Sequence, residues 1–269
     1  MKGEFGMCRG CQMGKSSEAK HPRKDPKYRA TEQLELIHTD IARPFKPKAI
    51  GGGNKQYNLI VIDDFSRKSW TIPLHRKSDV AKKLKEKILI EENQSGKRVK
   101  KMRSDNWGEH IDEEINTWLR GHDIKHHSIP ARSTESNGVA ERMNKTLQNR
   151  ARSMLSGAGL GGDFWVEEIA TASYIRNRGP VAGLNKTLDK LWSRKVPIVK
   201  YLRAYGSKAY ASPKYFKRKG KMGETKWKGI IVGYPPQSVG YRVWDPVSRV
   251  IFDVGVRVVD ENDSAEGFK

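Results

Sequence analysis

The chain has 269 residues, with 52 Lys and Arg against 31 Asp and Glu for a formal net charge of +21, and 36% hydrophobic residues. That apolar content excludes a largely disordered chain, and the length suits one large domain or a core with a small satellite. The charge points to a polyanionic partner, nucleic acid ahead of an acidic lipid surface. No run approaches the roughly 20 apolar residues of a membrane span, and the N-terminus has no apolar signal core, so a soluble intracellular chain without a membrane partner is expected.

Residues 1–32 read as a basic, polar leader, extended around Pro22 and Pro26. Within it Cys8 and Cys11 form a lone CxxC. Two cysteines are too few for a disulfide scaffold, and a zinc site needs four ligands, whereas the nearest downstream histidine, His21, stands alone and no second pair follows. The pair is either half of a site completed from upstream or incidental.

Apolar character begins with LELIHTDI (34–41), a strand. After a Pro/Gly loop, YNLIVIDDFSRKSW (57–70) has the β-branched and aromatic density of a buried strand, with TIPLH (71–75) as its return. A helix starts near Ser78, with Val80, Leu84 and Ile88 at four-residue intervals. VKKMRSD (99–105) is a strand, IDEEINTWLRG (111–121) a short helix, and DIKHHSI (123–129) a fifth strand. From about Thr134 to Leu155 runs a long helix with Val139, Met143, Leu147, Ala151 and Leu155 on one face. A helical stretch over 163–178 follows. Residues 200–228 carry ten Lys and Arg and one acid, Glu224, and then come three β segments: KGIIVGY (228–234), YRVWD (241–245) and RVIFDVGVRVVDE (249–261). This order predicts an α/β core with a mixed sheet and helices on its faces, then a helical segment and a small C-terminal sheet or β-barrel.

Three acids stand out. Asp40 ends the first strand, Asp105 the fourth, and Glu141 lies in NGVAER (137–142) early in the long helix. Phosphodiester chemistry by two divalent cations needs carboxylates from distant segments converging on a site only ~4 Å across, and these positions can converge at one sheet edge. Asp63 and Asp64 compete for the first-strand role, with a turn or capping role as the simpler reading. Glu109, Asp112, Glu113 and Glu114 most simply open a helix. Lys145 and Gln148 share the Glu141 side of the helix, either as solvated residues or as contacts to phosphate or base edges. His126 and His127, adjacent on a strand, point opposite ways and cannot chelate together.

The blocks CRGCQMGK, LELIHTD, IDDFSRKSW, RSDNWGE, NGVAERMNKTL, FWVEEIATASYIRNR, LRAYGSKAY and KGIIVGY, in this order, resemble the integrase of copia-type retrotransposons. The resemblance implies a remnant of a zinc-binding module and basic linker over 1–32, an RNase H-like catalytic core over 33–180, a basic linker over 181–227 and a small β-barrel over 228–269. It implies that Asp40, Asp105 and Glu141 are catalytic and bind Mg²⁺ or Mn²⁺ for insertion of element DNA into host DNA. Zn²⁺ on Cys8 and Cys11 would require a histidine pair upstream of CRGC. Double-stranded DNA, homo-multimers, and a nuclear location or virus-like particles go with that reading. Candidate DNA contacts are Asn137, Arg142, Lys145, Gln148, Lys217, Arg218, Lys219 and Lys221; the last four also suit nuclear import.

Some positions depart from the family pattern. Trp107 stands where glycine is usual and is expected to project toward target DNA; Arg43 replaces a small residue, and the loop before NGVAER reads STES (133–136). Those departures keep two alternatives open: a catalytically impaired or host-retained DNA-binding copy, and a metal-dependent nuclease of the same fold.

Overall fold

The computed structural model describes residues 29–42, 44–50, 54–105, 107–129, 137–180, 186–211, 226–236 and 239–260. Strands β1 (Leu36–Ala42), β2 (Tyr57–Asp63), β3 (Ser69–Leu74), β4 (Lys101–Asp105) and β5 (Lys125–Ile129) form a sheet in the order β3-β2-β1-β4-β5. The β1–β2 and β2–β3 pairs are antiparallel, and β1–β4 and β4–β5 are parallel. It is the expected mixed sheet, with β1 at its centre.

Helices cover both faces, because strand residues alternate sides. One face sets Ile37, Leu59, Val61, Leu74 and Met102 against Leu84 and Ile88 of α1 (Val80–Ser95) and Ile115 and Leu119 of α2 (Glu109–Gly121). On the other, Ile60 and Ile62 meet Ala140, Met143 and Leu147 of α3 (Gly138–Ala158) and Ala172 of α4 (Trp165–Arg178). Of the expected stripe Met143, Leu147 and Ala151 are buried, joined by Ala140, Asn144 and Ala158, while Val139 and Leu155 are only half-buried. Glu109 and Asp112 do lie in the first turn of α2.

The buried strand expected over 57–70 is instead two strands. It stops at Asp63 because that carboxylate closes a turn: Oδ2 accepts from Ser66 N at 2.7 Å and Ser66 Oγ at 2.6 Å, and Oδ1 from Leu34 N at 2.8 Å. Asp64 Oδ2 accepts from Ala30 N at 2.7 Å, and Oδ1 lies 2.8 Å from His38 Nε2 and 2.9 Å from Arg67 Nη1. Both acids hold the fold, as their turn reading had it.

Beyond α4 lie a short helix, α5 (Leu188–Ser193), and a second sheet of β6 (Lys208–Ala211), β7 (Trp227–Gly233), β8 (Tyr241–Asp245), β9 (Val250–Val254) and β10 (Val256–Asp260), in the order β10-β6-β7-β8-β9. Helix α5 and strand β6 fall within the stretch read as a basic linker. The sheet is open, since no ladder joins β9 to β10 among the described residues, although only Gly255 separates them along the chain. The two sheets are tied through α4: Arg242 on β8 grips Glu167 with Nε–Oε2 at 2.6 Å and Nη2–Oε1 at 2.9 Å. No described helix is long and apolar enough to cross a membrane.

Candidate active site

Parallel pairing of β1 with β4 runs from Leu36↔Lys101 to Thr39↔Ser104. The next step in that register sets Asp40 beside Asp105, on strands about 4.8 Å apart, with both side chains on the face that α3 covers. This is the C-terminal end of the parallel strands, where open α/β sheets leave a crevice. Glu141 is in the first turn of α3 over that crevice. The sequence-predicted trio is therefore brought to one place.

Its electrostatics agree. Burial first, then the negative charges of Asp40 and Glu141, push the Asp105 carboxyl above the ordinary range, and the neighbouring Asn137 amide pulls the other way. Asp105 Oδ1 is buried with no hydrogen-bond partner among the described residues. A buried carboxylate oxygen without a donor is costly. Among the described residues no three His, Cys, Asp or Glu side chains are drawn close enough to hold a metal ion.

Two asparagines shape the site. Asn144, one turn beyond Glu141, donates Nδ2 to Asp40 Oδ2 at 2.5 Å, while Asp40 Oδ1 takes the Ile41 N–H at 2.8 Å. Sequence reasoning missed Asn144; its i+3 position from Glu141 was the signal that could have found it. Asn137 is fully buried and donates to Thr39 O at 2.7 Å, so its amide braces α3 against β1 beside Asp105. Glu141, Arg142 and Lys145 are exposed and Gln148 half-exposed.

The expectation for Trp107 is overturned. Its side chain is 3% exposed and packs in the cluster with Ile111, Ile115 and Leu119, away from the acids. Gly108, at φ 112°, makes the turn from β4 into α2 that carries Trp107 inward. His126 is bonded to Ser104 Oγ at 2.8 Å and Asn116 Oδ1 at 2.5 Å, and His127 is exposed. Cys8, Cys11, Arg43, residues 133–136, Lys217, Arg218, Lys219 and Lys221 lie outside the described residues.

An acid-bearing α/β core followed by a small sheet is the architecture in hand, and residues 207–266 match the retroviral polymerase SH3-like domain family. That match spans the second sheet and the residues after it. The chain's homologues are retrovirus-related Pol polyproteins of plant copia-type transposons. It is 34% identical over 220 residues to that of transposon TNT 1-94 from Nicotiana tabacum, covering 81% of this chain and 16% of the relative. To that of transposon RE1 from Arabidopsis thaliana it is 27% identical over 233 residues, covering 86% and 15%. The chain thus spans about a sixth of the length of these relatives. A solved HTLV-2 integrase catalytic core domain in complex with magnesium aligns with a TM-score of 0.44 and 16% identity, over 61% of this chain and 99% of that one.

Proposed function

We propose that this chain is the integrase segment of a transposon polyprotein, and that Asp40, Asp105 and Glu141 hold Mg²⁺ or Mn²⁺ and carry out strand transfer of element DNA into host DNA. What supports the reading is that Asp40 and Glu141 both bear electrostatically on Asp105 at the end of the parallel strands, and that one buried Asp105 oxygen has no partner among the described residues. An all-oxygen donor set suits a hard divalent cation. Bound there, such cations supply Lewis-acid stabilisation of phosphate oxygens and activation of a hydroxyl nucleophile.

The chain's own residues prepare that chemistry. Asn144 fixes the rotation of the Asp40 carboxylate, leaving the other two acids to adjust around it. Asn137 anchors the start of α3 on β1 and so sets the height of Glu141 above the sheet. Lys145, exposed one turn beyond Glu141, is placed to meet a phosphate and orient the DNA end.

In this reading the core is RNase H-like, and β9 and β10 are two halves of one bent strand that close the second sheet into a small barrel. Double-stranded DNA and further copies of the chain are its partners, the nucleus its place of action, and Cys8 and Cys11 half of a zinc site. The test supplies the purified chain with a duplex bearing an element end and Mg²⁺ or Mn²⁺. Joined products that vanish in Asp105→Asn and Glu141→Gln are expected. Salt-sensitive binding without products would replace the reading with an impaired DNA-binding copy, and cleavage without joining with a nuclease.

A further inference from the structure

Arginines from several elements come together beside the turn between β2 and β3. Arg67, in the turn between β2 and β3, is half-buried, and its backbone carbonyl accepts from Nη1 of Arg176, near the end of α4, at 3.1 Å. In the same turn Phe65 O accepts from Arg29 Nη2 at 3.3 Å. Arg142 and Arg150, exposed on α3, complete the group, Arg142 bearing electrostatically on Arg67 and Arg150 on Arg176. At 100° per residue, Arg142 and Arg150 lie about 80° apart on a flank turned roughly 100–180° from Glu141.

Counter-charge is scarce. Among the described residues Asp64 and Asp63 are the carboxylates acting on Arg67, and both are already engaged by the bonds that close the turn. Arg176 has no acid acting on it; burial, then Arg150 and Arg67, bring it down to about 10. With so little free counter-charge the guanidiniums repel pairwise, Arg29 and Arg142 acting on Arg67, and Arg150 and Arg67 on Arg176. A multiply charged anion would relieve that repulsion, and the planar guanidinium fork matches phosphate oxygens in particular.

We propose that Arg67, Arg142, Arg150 and Arg176 form a phosphate-binding site that grips the backbone of a nucleic-acid segment on the flank of α3 turned away from Glu141. The proposal rests on the chain handling DNA but not on the three acids being catalytic. A free polyphosphate presents the same chemistry, so the two sources are separated by experiment.

The full chain, in EDTA, is titrated with a labelled duplex across a sodium chloride series, and its melting temperature is read with and without inorganic tripolyphosphate. Arg150→Gln and Arg176→Gln are compared with Lys83→Gln, whose parent side chain is paired with Glu86 on α1. Each arginine variant is expected to flatten the log K against log salt slope by about one phosphate's worth. Without ligand Arg150→Gln should melt at or above the parent temperature, because repulsion is removed, whereas a purely structural arginine would melt lower when lost; Arg176→Gln also loses its bond to Arg67 O and is read through its slope. Unchanged slopes in both variants overturn the proposal. Tripolyphosphate raising the parent's melting temperature with the duplex slopes unchanged would assign the site to a free anion and overturn nucleic acid as its occupant. Because metal is absent, failure of the acids to act in strand transfer leaves these outcomes untouched, and intact joining with unchanged slopes removes this proposal alone.

Discussion

Glu168→Gln perturbs a carboxyl group buried where α4 meets the second sheet. Glu168 is 1% exposed, its Oε1 has no hydrogen-bond partner among the described residues, and the buried Tyr205 hydroxyl near it has none either. Burial first, and then Asp163, push the Glu168 carboxyl from 4.5 up to about 8. Below pH 4.5 the group is protonated in both folded and unfolded chains and leaves stability unaffected. Between 4.5 and 8 the unfolded chain releases the proton that the folded chain keeps, so stability falls as pH rises, and the loss is complete above about 8. At 1.36 kcal/mol per unit the loss is on the order of 5 kcal/mol. Glutamine keeps the shape without the titration, at a pH-independent cost for its amide. With roughly 2–4 °C of melting temperature per kcal/mol in a chain of this size, the melting-temperature difference between variant and parent should grow by about 10 °C from pH 4.5 to pH 8.5. Calorimetry across that range reads it directly. A difference that stays constant with pH would refute the reasoning.

Asn144→Ala should reduce joining by about tenfold or more while moving the melting temperature little, because it frees the Asp40 carboxylate without opening the core; equal rates would remove its positioning role. Trp107→Gly should cost about 3–5 kcal/mol in urea unfolding, since the side chain fills the core beside Ile111 and Ile115. A gain in DNA joining without that cost would restore the expectation that Trp107 obstructs DNA.

Much of the core was legible because its signals are local. The four-residue spacing of Val80, Leu84 and Ile88 and the apolar run ending in Asp40 gave the right elements. What escaped depends on tertiary contact or short range. The break at Asp63 hides inside a continuous β-rich run, since the Ser66 bonds that end the strand have no hydrophobic signature. Strand β6 is four residues within a basic tract, recognisable only through its pairing with β7 and β10. Trp107 was misjudged because nearness in sequence to Asp105 says nothing of direction; Gly108 turns the chain, and the side chain enters the opposite face. The arginine cluster joins residues from 29 to 176 and has no spacing that a linear reading could detect.

Asp40, Asp105 and Glu141 are proposed to form one metal-dependent centre. Its most direct measurement is titration of the chain with Mn²⁺ followed by electron paramagnetic resonance, for the parent and for Asp105→Asn. The account predicts saturable Mn²⁺ binding in the parent, accompanied by a higher melting temperature as the repulsion around Asp105 is neutralised, and at least tenfold weaker binding in Asp105→Asn. Equal binding by the two proteins would contradict it.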